Sequence, residues 1–350
     1  MPITSPYHTP ARLVILAPNW LGDAVMALPA IADVRRSLTA TSMTIAARAP
    51  VAPLFRLVGP GAGVDDVIVV ERRGWRELGV DLAGRGFDAA LLLPNSLHAA
   101  LSASRAGIPE RWGYRTDWRG RLLTRAVEPP SGLHQAEYYQ QLVHALGFPN
   151  GPIEPRIAIP AEIRGRGTSL LIECGWDGRV PLVAIAPGAA YGGAKKWPAG
   201  SFASLAGSLA GDGVRTVVVG SAADRRTADD VLAAFARRTP VSSQALSLID
   251  VVGRTDIAAL AGVLASCRAL VTNDSGAMHL AAAAGTPVTA VFGPTDERAT
   301  RPLGSAHTVI TGPAWCRPCL LRECPLDHRC MRGIEVATVA GAARRTVSTP

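Results

Sequence analysis

Short β-branched runs alternate with longer Ala- and Leu-rich stretches along this chain, and the alternation restarts halfway. In the first half the runs fall at 13–17, 43–47, 67–70 and 89–93. In the second they fall at 182–186, 216–219, 269–272 and 288–292. Helical stretches are expected at 24–37, kinked or offset at Pro29, and at 201–210, 224–237, 256–266 and 275–284. Ser201 and Asp256 read as N-caps, Gly211 and Gly285 as C-caps. Such alternation builds βαβ units around parallel sheets. The segment 148–160 carries four prolines and reads as a linker. The expectation is an α/β protein with an N-terminal domain over 1–160 and a C-terminal domain over 161–332. The remaining tail, 333–350, contains a helical stretch at 334–347 expected to pack back across the first domain. Ligands of such sheets bind at the C-terminal strand ends, so the residues just after each strand carry the chemistry.

Composition narrows the setting. No apolar run reaches the ~18 residues of a membrane-spanning helix, and the first residues lack the form of a secretory leader. A cytoplasmic location is expected. The formal net charge is +8. That balance suits an anionic partner, whether nucleic acid, membrane surface or phosphorylated substrate, and equally suits ordinary solubility. Cys174 and Cys267 stand alone, whereas Cys316, Cys319, Cys324 and Cys330 cluster around His328. In a reducing compartment such a cluster favours metal or free thiols over disulfides. A structural zinc is one expectation for the four clustered cysteines, and a reduced structural loop is the other.

Four segments follow strands directly or carry unusual charge. Pro18-Asn19-Trp20-Leu21-Gly22-Asp23 follows the first strand. Asp23 either takes a proton from an acceptor hydroxyl or caps a helix. Thr272-Asn273-Asp274-Ser275-Gly276-Ala277 runs from a strand into a helix that contains His279. Small residues at a helix start let an anion reach unpaired N–H groups, although a plain N-cap has the same appearance. The loop 187–198 holds the only two lysines of the chain, Lys195 and Lys196. Compact ammonium groups suit a diphosphate, and charged loops are also common without function. Finally, Arg111, Arg115, Arg119, Arg121 and Arg125 are interleaved with Trp112, Tyr114 and Trp118. Guanidinium groups pair with phosphate or carboxylate, so this stretch grips an acidic glycolipid or RNA, or is a solvated basic face.

Taken in order, these segments resemble the ADP-heptose:lipopolysaccharide heptosyltransferases. The matching pieces are PNWLGDAVM (18–26), HQAEYYQQL (134–142), PGAAYGGAKKWP (187–198), VVVGSAADR (217–225), VTNDSGAMHLAAAAGTPVTAVFGPTD (271–296) and CRPCLLRECPLDHRCM (316–331). The Trp20 loop and the Cys-rich piece point to the branch that adds the second heptose. The resemblance implies a GT-B fold of two Rossmann-like domains facing across a cleft. It implies inverting transfer, without a metal, from ADP-heptose to a lipid A–Kdo–heptose acceptor at the inner face of the membrane. Asp23 then matches the general base. Lys195, Asp224, Asp274, Ser275, Gly276 and His279 match donor contacts. Asn19, Arg111, Arg115 and Arg119 are expected to meet the acceptor, and no nucleic acid is expected. Gly193 stands where the family pattern has proline.

Three other readings stay open on sequence. One is a family member that uses a different acceptor, such as the first-heptose enzyme. Another is a nucleotide-sugar epimerase of similar two-domain fold, which needs no acceptor. The third is a nonenzymatic zinc- and RNA-binding protein.

Overall fold

The computed structural model describes residues 9–58, 63–71, 74–238 and 248–347. The chain divides into two compact units, residues 1–155 and 156–350, so the division falls inside the proline-rich segment.

The first unit is built on a six-stranded sheet. Its strands are β1 (Arg12–Leu16), β2 (Ser42–Arg48), β3 (Asp66–Val70), β4 (Ala89–Leu92), β5 (Glu110–Tyr114) and β6 (Arg125–Val127). They lie in the order β3-β2-β1-β4-β5-β6, and every pairing is parallel. The second unit holds β7 (Leu182–Ala186), β8 (Arg215–Val218), β9 (Ile249–Asp250), β10 (Ala269–Asn273), β11 (Val288–Phe292) and β12 (Thr308–Thr311). Their order, β12-β11-β10-β7-β8-β9, is the same plan run a second time, again all parallel. Each unit is therefore a Rossmann-like half, as the GT-B expectation requires.

Parallel sheets bury both faces, which is why the inner strands read as unbroken apolar runs. Every residue of β7 and of β11 is buried. Around them pack Phe202, Leu205, Leu209 and Val231 from the flanking helices. The first unit has its own core, where Val14, Leu16, Ala90 and Leu92 meet Leu82, Ala99 and Ala103.

Pro29 does more than kink a helix. The chain forms one helix over Leu21–Met26 and a second over Leu28–Ser37, with Pro29 in the first turn of the second. There its missing N–H costs nothing. Behind these helices the fully buried Asp33 accepts from Gln140 Nε2 at 2.9 Å and from the Gly151 N–H at 3.2 Å, and it pairs with Arg36. That buried carboxylate ties helix Gln135–Ala145 to helix Leu28–Ser37.

The expected caps are partly revised. Asp256 does cap its helix, accepting from Ala259 N–H at 2.7 Å. Ser201 lies inside helix Ala199–Gly211, which starts after Pro198. The tail also differs from expectation. Helix Val336–Val347 belongs to the second unit, and its apolar stripe of Val339, Ala340 and Ala343 is part of that unit's core. Arg344 fixes the outer side by donating to Asp212 at 2.7 Å and to Ser208 at 2.8 Å.

Candidate functional site

Strand order reverses between β7 and β10, which are hydrogen-bonded neighbours. Loops leaving such a pair diverge and open a crevice at the C-terminal edge. The loop 187–198 leaves β7, and Asp274-Ser275 leaves β10. Sequence reading placed donor residues in both, and the structure joins them directly. Lys195 Nζ donates to Asp274 Oδ2 at 2.6 Å, with the two side chains 12% and 7% exposed. The Thr295 hydroxyl donates to the same oxygen at 2.8 Å. Thr295 follows β11, so three adjacent strand ends converge on one carboxylate. Sequence reasoning missed Thr295.

Asn273 holds the lysine loop at both ends. Fully buried, it donates through Nδ2 to the carbonyls of Pro187 at 2.8 Å and Gly188 at 3.2 Å. Its Oδ1 accepts the N–H of Trp197 at 2.9 Å. The Trp197 ring is itself buried edge-on against Phe202, with its indole N–H on the Ile334 carbonyl at 3.1 Å. Lys195 thus projects from a loop whose ends are fixed in the core. Its neighbour Lys196 turns to the Thr227 hydroxyl at 2.8 Å.

Helix Gly276–Ala283 starts beside this pair. Its N-cap, Ser275, is extended, and its side chain does not cap the helix. The Ser275 hydroxyl instead lies 3.1 Å from that of Thr272. With no cap bond from Ser275 and with small Gly276 and Ala277 beside them, the first-turn N–H groups suit an anion. His279 is buried on the same helix. Asp224 lies past the end of β8, where it closes a tight turn by accepting from Ser221 N–H at 2.9 Å and Ser221 Oγ at 2.7 Å. Its other oxygen approaches Gly188, where an added Cβ would meet Asp224 Oδ1 at 2.1 Å. The loop therefore needs glycine at that position.

The first unit repeats the layout. Order reverses between β1 and β4, and Asp23 is the third residue of the helix that follows β1. It is not the N-cap; Trp20 is, and Trp20 is 55% exposed. Asn19 is exposed in the same loop. Helix Gln135–Ala145 runs behind Asp23. Burial and then the nearby Asp23 charge push the Tyr139 hydroxyl well above the usual phenol range. His134 and Glu137 form a capping box at the start of that helix. This gives the HQAE signal a local cause. Asn95, after β4, donates to the Tyr138 hydroxyl at 2.8 Å. Asn95, Tyr138 and Tyr139 were not anticipated as neighbours of this edge.

The arginine-rich stretch is partly internal bracing, which corrects the acceptor assignment for Arg119. Arg119 is fully buried. It donates to the carbonyls of Tyr114 at 2.9 Å, Pro94 and Ser96, and to Asn95 Oδ1. Burial lowers its pKa to about 10. Arg111 is spent on the carbonyls of Leu122 at 2.6 Å, Ile108 and Pro109. Arg119 is thus engaged through all three of its nitrogens, whereas Arg111 is engaged through Nε and Nη1. Arg115 remains outward, 65% exposed, beside Glu128. Next to it Trp118 is 97% exposed on a left-handed turn with φ 59°.

The cysteines are all unpaired. Among the described residues no group of three or more His, Cys, Asp or Glu is arranged to hold a metal ion. Burial and then the nearby thiols of Cys316, Cys319 and Cys324 push the Cys330 thiol up. The segment packs on the lysine loop. Tyr191 donates to the Leu320 carbonyl at 2.8 Å, and Ala194 N–H donates to the Arg322 carbonyl at 2.9 Å. Among the described residues no helix is long and apolar enough to cross a membrane.

With the geometry in place, the chain was compared with known proteins. The family described as glycosyltransferase family 9 (heptosyltransferase) matches residues 75–329. Lipopolysaccharide heptosyltransferase 2 of Salmonella typhimurium is 29% identical over 315 residues, covering 85% of this chain and 87% of that protein. The solved ADP-heptose LPS heptosyltransferase II of E. coli superposes with a TM-score of 0.81 at 28% identity, covering 96% of this chain and 98% of that one. A family 9 glycosyltransferase from Veillonella parvula has the same fold, with a TM-score of 0.81 at 20% identity over 96% of this chain and 97% of that one.

Proposed function

The chain belongs to glycosyltransferase family 9, and from that premise we propose that it transfers L-glycero-D-manno-heptose from ADP-heptose to heptosyl-Kdo2-lipid A, with inversion, in lipopolysaccharide inner-core synthesis. The observation that carries the donor half is the Lys195–Asp274 pair beside the open start of helix Gly276–Ala283. As ADP leaves, negative charge grows on its diphosphate. Helix-end N–H groups and a lysine already held in place stabilise that charge without reorganising. Asp274 and Thr295 aim the ammonium. Gly276 and Ser275 leave room for phosphate oxygens, and Asp224 and His279 are assigned to the ribose and diphosphate side of the donor.

Asp23 is the proposed general base for the acceptor hydroxyl. Buried Tyr139 lies close enough to feel its charge. Asn19, Trp20 and Arg115 are exposed at the same sheet edge and are assigned to the acceptor. The reading gives no metal a step, so chelation is expected to leave turnover unchanged. The acceptor is lipid-borne, so we place the working enzyme at the cytoplasmic membrane face. The net charge of +8 and the solvent-facing Trp118 beside Arg115 support that contact.

The test is ADP release from ADP-heptose by the purified protein, with lipid A acceptors bearing Kdo alone or Kdo plus one heptose. Turnover confined to the heptose-bearing acceptor is expected. Turnover confined to the Kdo acceptor moves the assignment to the first-heptose step. Turnover of donor with no acceptor present returns the epimerase reading.

A further inference from the structure

We propose that Arg322, in the Cys-rich segment, is a further donor-binding residue, a second cation for the diphosphate beside Lys195. This rests on the donor reading above. The segment is joined to the lysine loop through main chain, so its position there is fixed. Arg322 O accepts the Ala194 N–H at 2.9 Å, and Glu323 Oε1 accepts the Gly193 N–H at 2.9 Å. The approach is close enough that a Cβ on Gly192 would sit 2.3 Å from Arg322 O. The side chain then lies over the Tyr191 ring with its guanidinium carbon 5.3 Å from the centroid, while Lys195 Nζ lies 4.6 Å from the same centroid. One aromatic ring thus seats both cations, no more than about 10 Å apart.

Their charge states differ in a way that matters. Lys195 is shared with Asp274 at 2.6 Å, so its ammonium answers only part of the charge, and the further negative charge that ADP gains on leaving calls for a second cation. Arg322 is exposed, and among the described residues it has no carboxylate partner. The adjacent Glu323 is engaged with Gly193. A guanidinium with free N–H groups takes phosphate oxygens two at a time, and stacking on Tyr191 limits its wandering. The Cys-rich segment then has a role that needs no metal, because it carries this arginine to the loop that carries Lys195.

The test compares ADP and adenosine binding by calorimetry in the wild-type chain, Arg322→Gln and Arg322→Lys, with thermal melts to verify folding. Arg322→Gln is expected to weaken ADP about tenfold, the worth of one lost charge-assisted contact, and to leave adenosine unchanged. Arg322→Lys should fall between, since it keeps charge and loses the fork. If Arg322→Gln is too unstable to assay, Arg322→Lys carries the same ADP-against-adenosine comparison. ADP affinity within twofold of wild type overturns the inference. Equal losses for ADP and adenosine also overturn it, because they report a displaced loop and no phosphate contact. A wild-type chain that fails to bind ADP overturns the donor reading itself, and this inference with it.

Discussion

The buried amide of Asn273 holds the main-chain N–H of Trp197 at 2.9 Å, and through it the far end of the loop that presents Lys195. The same side chain holds the near end at Pro187 and Gly188. Removing it leaves one buried N–H and two carbonyls to find other partners. Asn273→Ala is expected to cost about 1–3 kcal/mol in urea unfolding. It should also weaken ADP binding, because the lysine loop is no longer held at either end. Unchanged ADP affinity in a destabilised variant would separate the two roles and remove Asn273 from the donor site.

Asp23 separates chemistry from donor binding in the proposed mechanism. Asp23→Asn keeps the shape and loses the base. Turnover at saturating acceptor is expected to fall by about 10²–10⁴-fold, with ADP affinity within twofold of wild type. Near-normal turnover would transfer the base role to another group on this edge.

Cys267 gives the fold a pH dependence at the alkaline end. Burial pushes its thiol up to about 12 from 9.0. Between those values the unfolded chain has released the proton and the folded chain still holds it. The stabilisation is therefore complete below pH 9 and is lost as pH rises toward 12. One such group changes stability by about 1.4 kcal/mol per pH unit in that window. Stability of Cys267→Ala, followed by urea unfolding from pH 8 to 10.5, should fall less steeply than that of the wild type. Parallel slopes would show that the thiol is not the group responsible.

Gly167 and Gly262 let helix Ala161–Glu173 and helix Ile257–Ala265 meet at backbone contact. A Cβ on Gly262 would lie 2.2 Å from the Ile163 carbonyl oxygen. That oxygen is backbone and not a flexible side-chain end, so the helices must part. Gly262→Ala is expected to lower the melting temperature despite its better helix propensity, with a cost of about 1–3 kcal/mol from overpacking. A higher melting temperature would mean that the helices separate freely.

What the sequence made legible was whatever depends on local pattern. The central strands β7 and β11 fall at the expected residues, because strands buried on both faces leave an unbroken apolar run. The edge strands β9 and β12 have partly open residues and short lengths, and they left no such run. β5 and β6 were hidden in the arginine-rich stretch, where Arg111 and Arg125 are strand residues. There a basic face and an internal brace look alike until the carbonyl partners of Arg111 and Arg119 are seen. The site divides in the same way. The strand–turn–helix around Asp274 is local and was readable, whereas the bonds from Lys195, 79 positions away, and from Thr295 are tertiary. Pro29 reads as a kink or an offset within one helix because a helix interior and a fresh first turn differ only by the break at Ala27.

Each half closes its own sheet, and among the described residues no strand of one pairs with a strand of the other. A recombination crossover near residue 155 therefore cuts no ladder and splits no core. On the proposed reading, a chimera joined near residue 155 carries Asp23 and the acceptor contacts in one exchangeable block and Lys195 with the nucleotide contacts in the other.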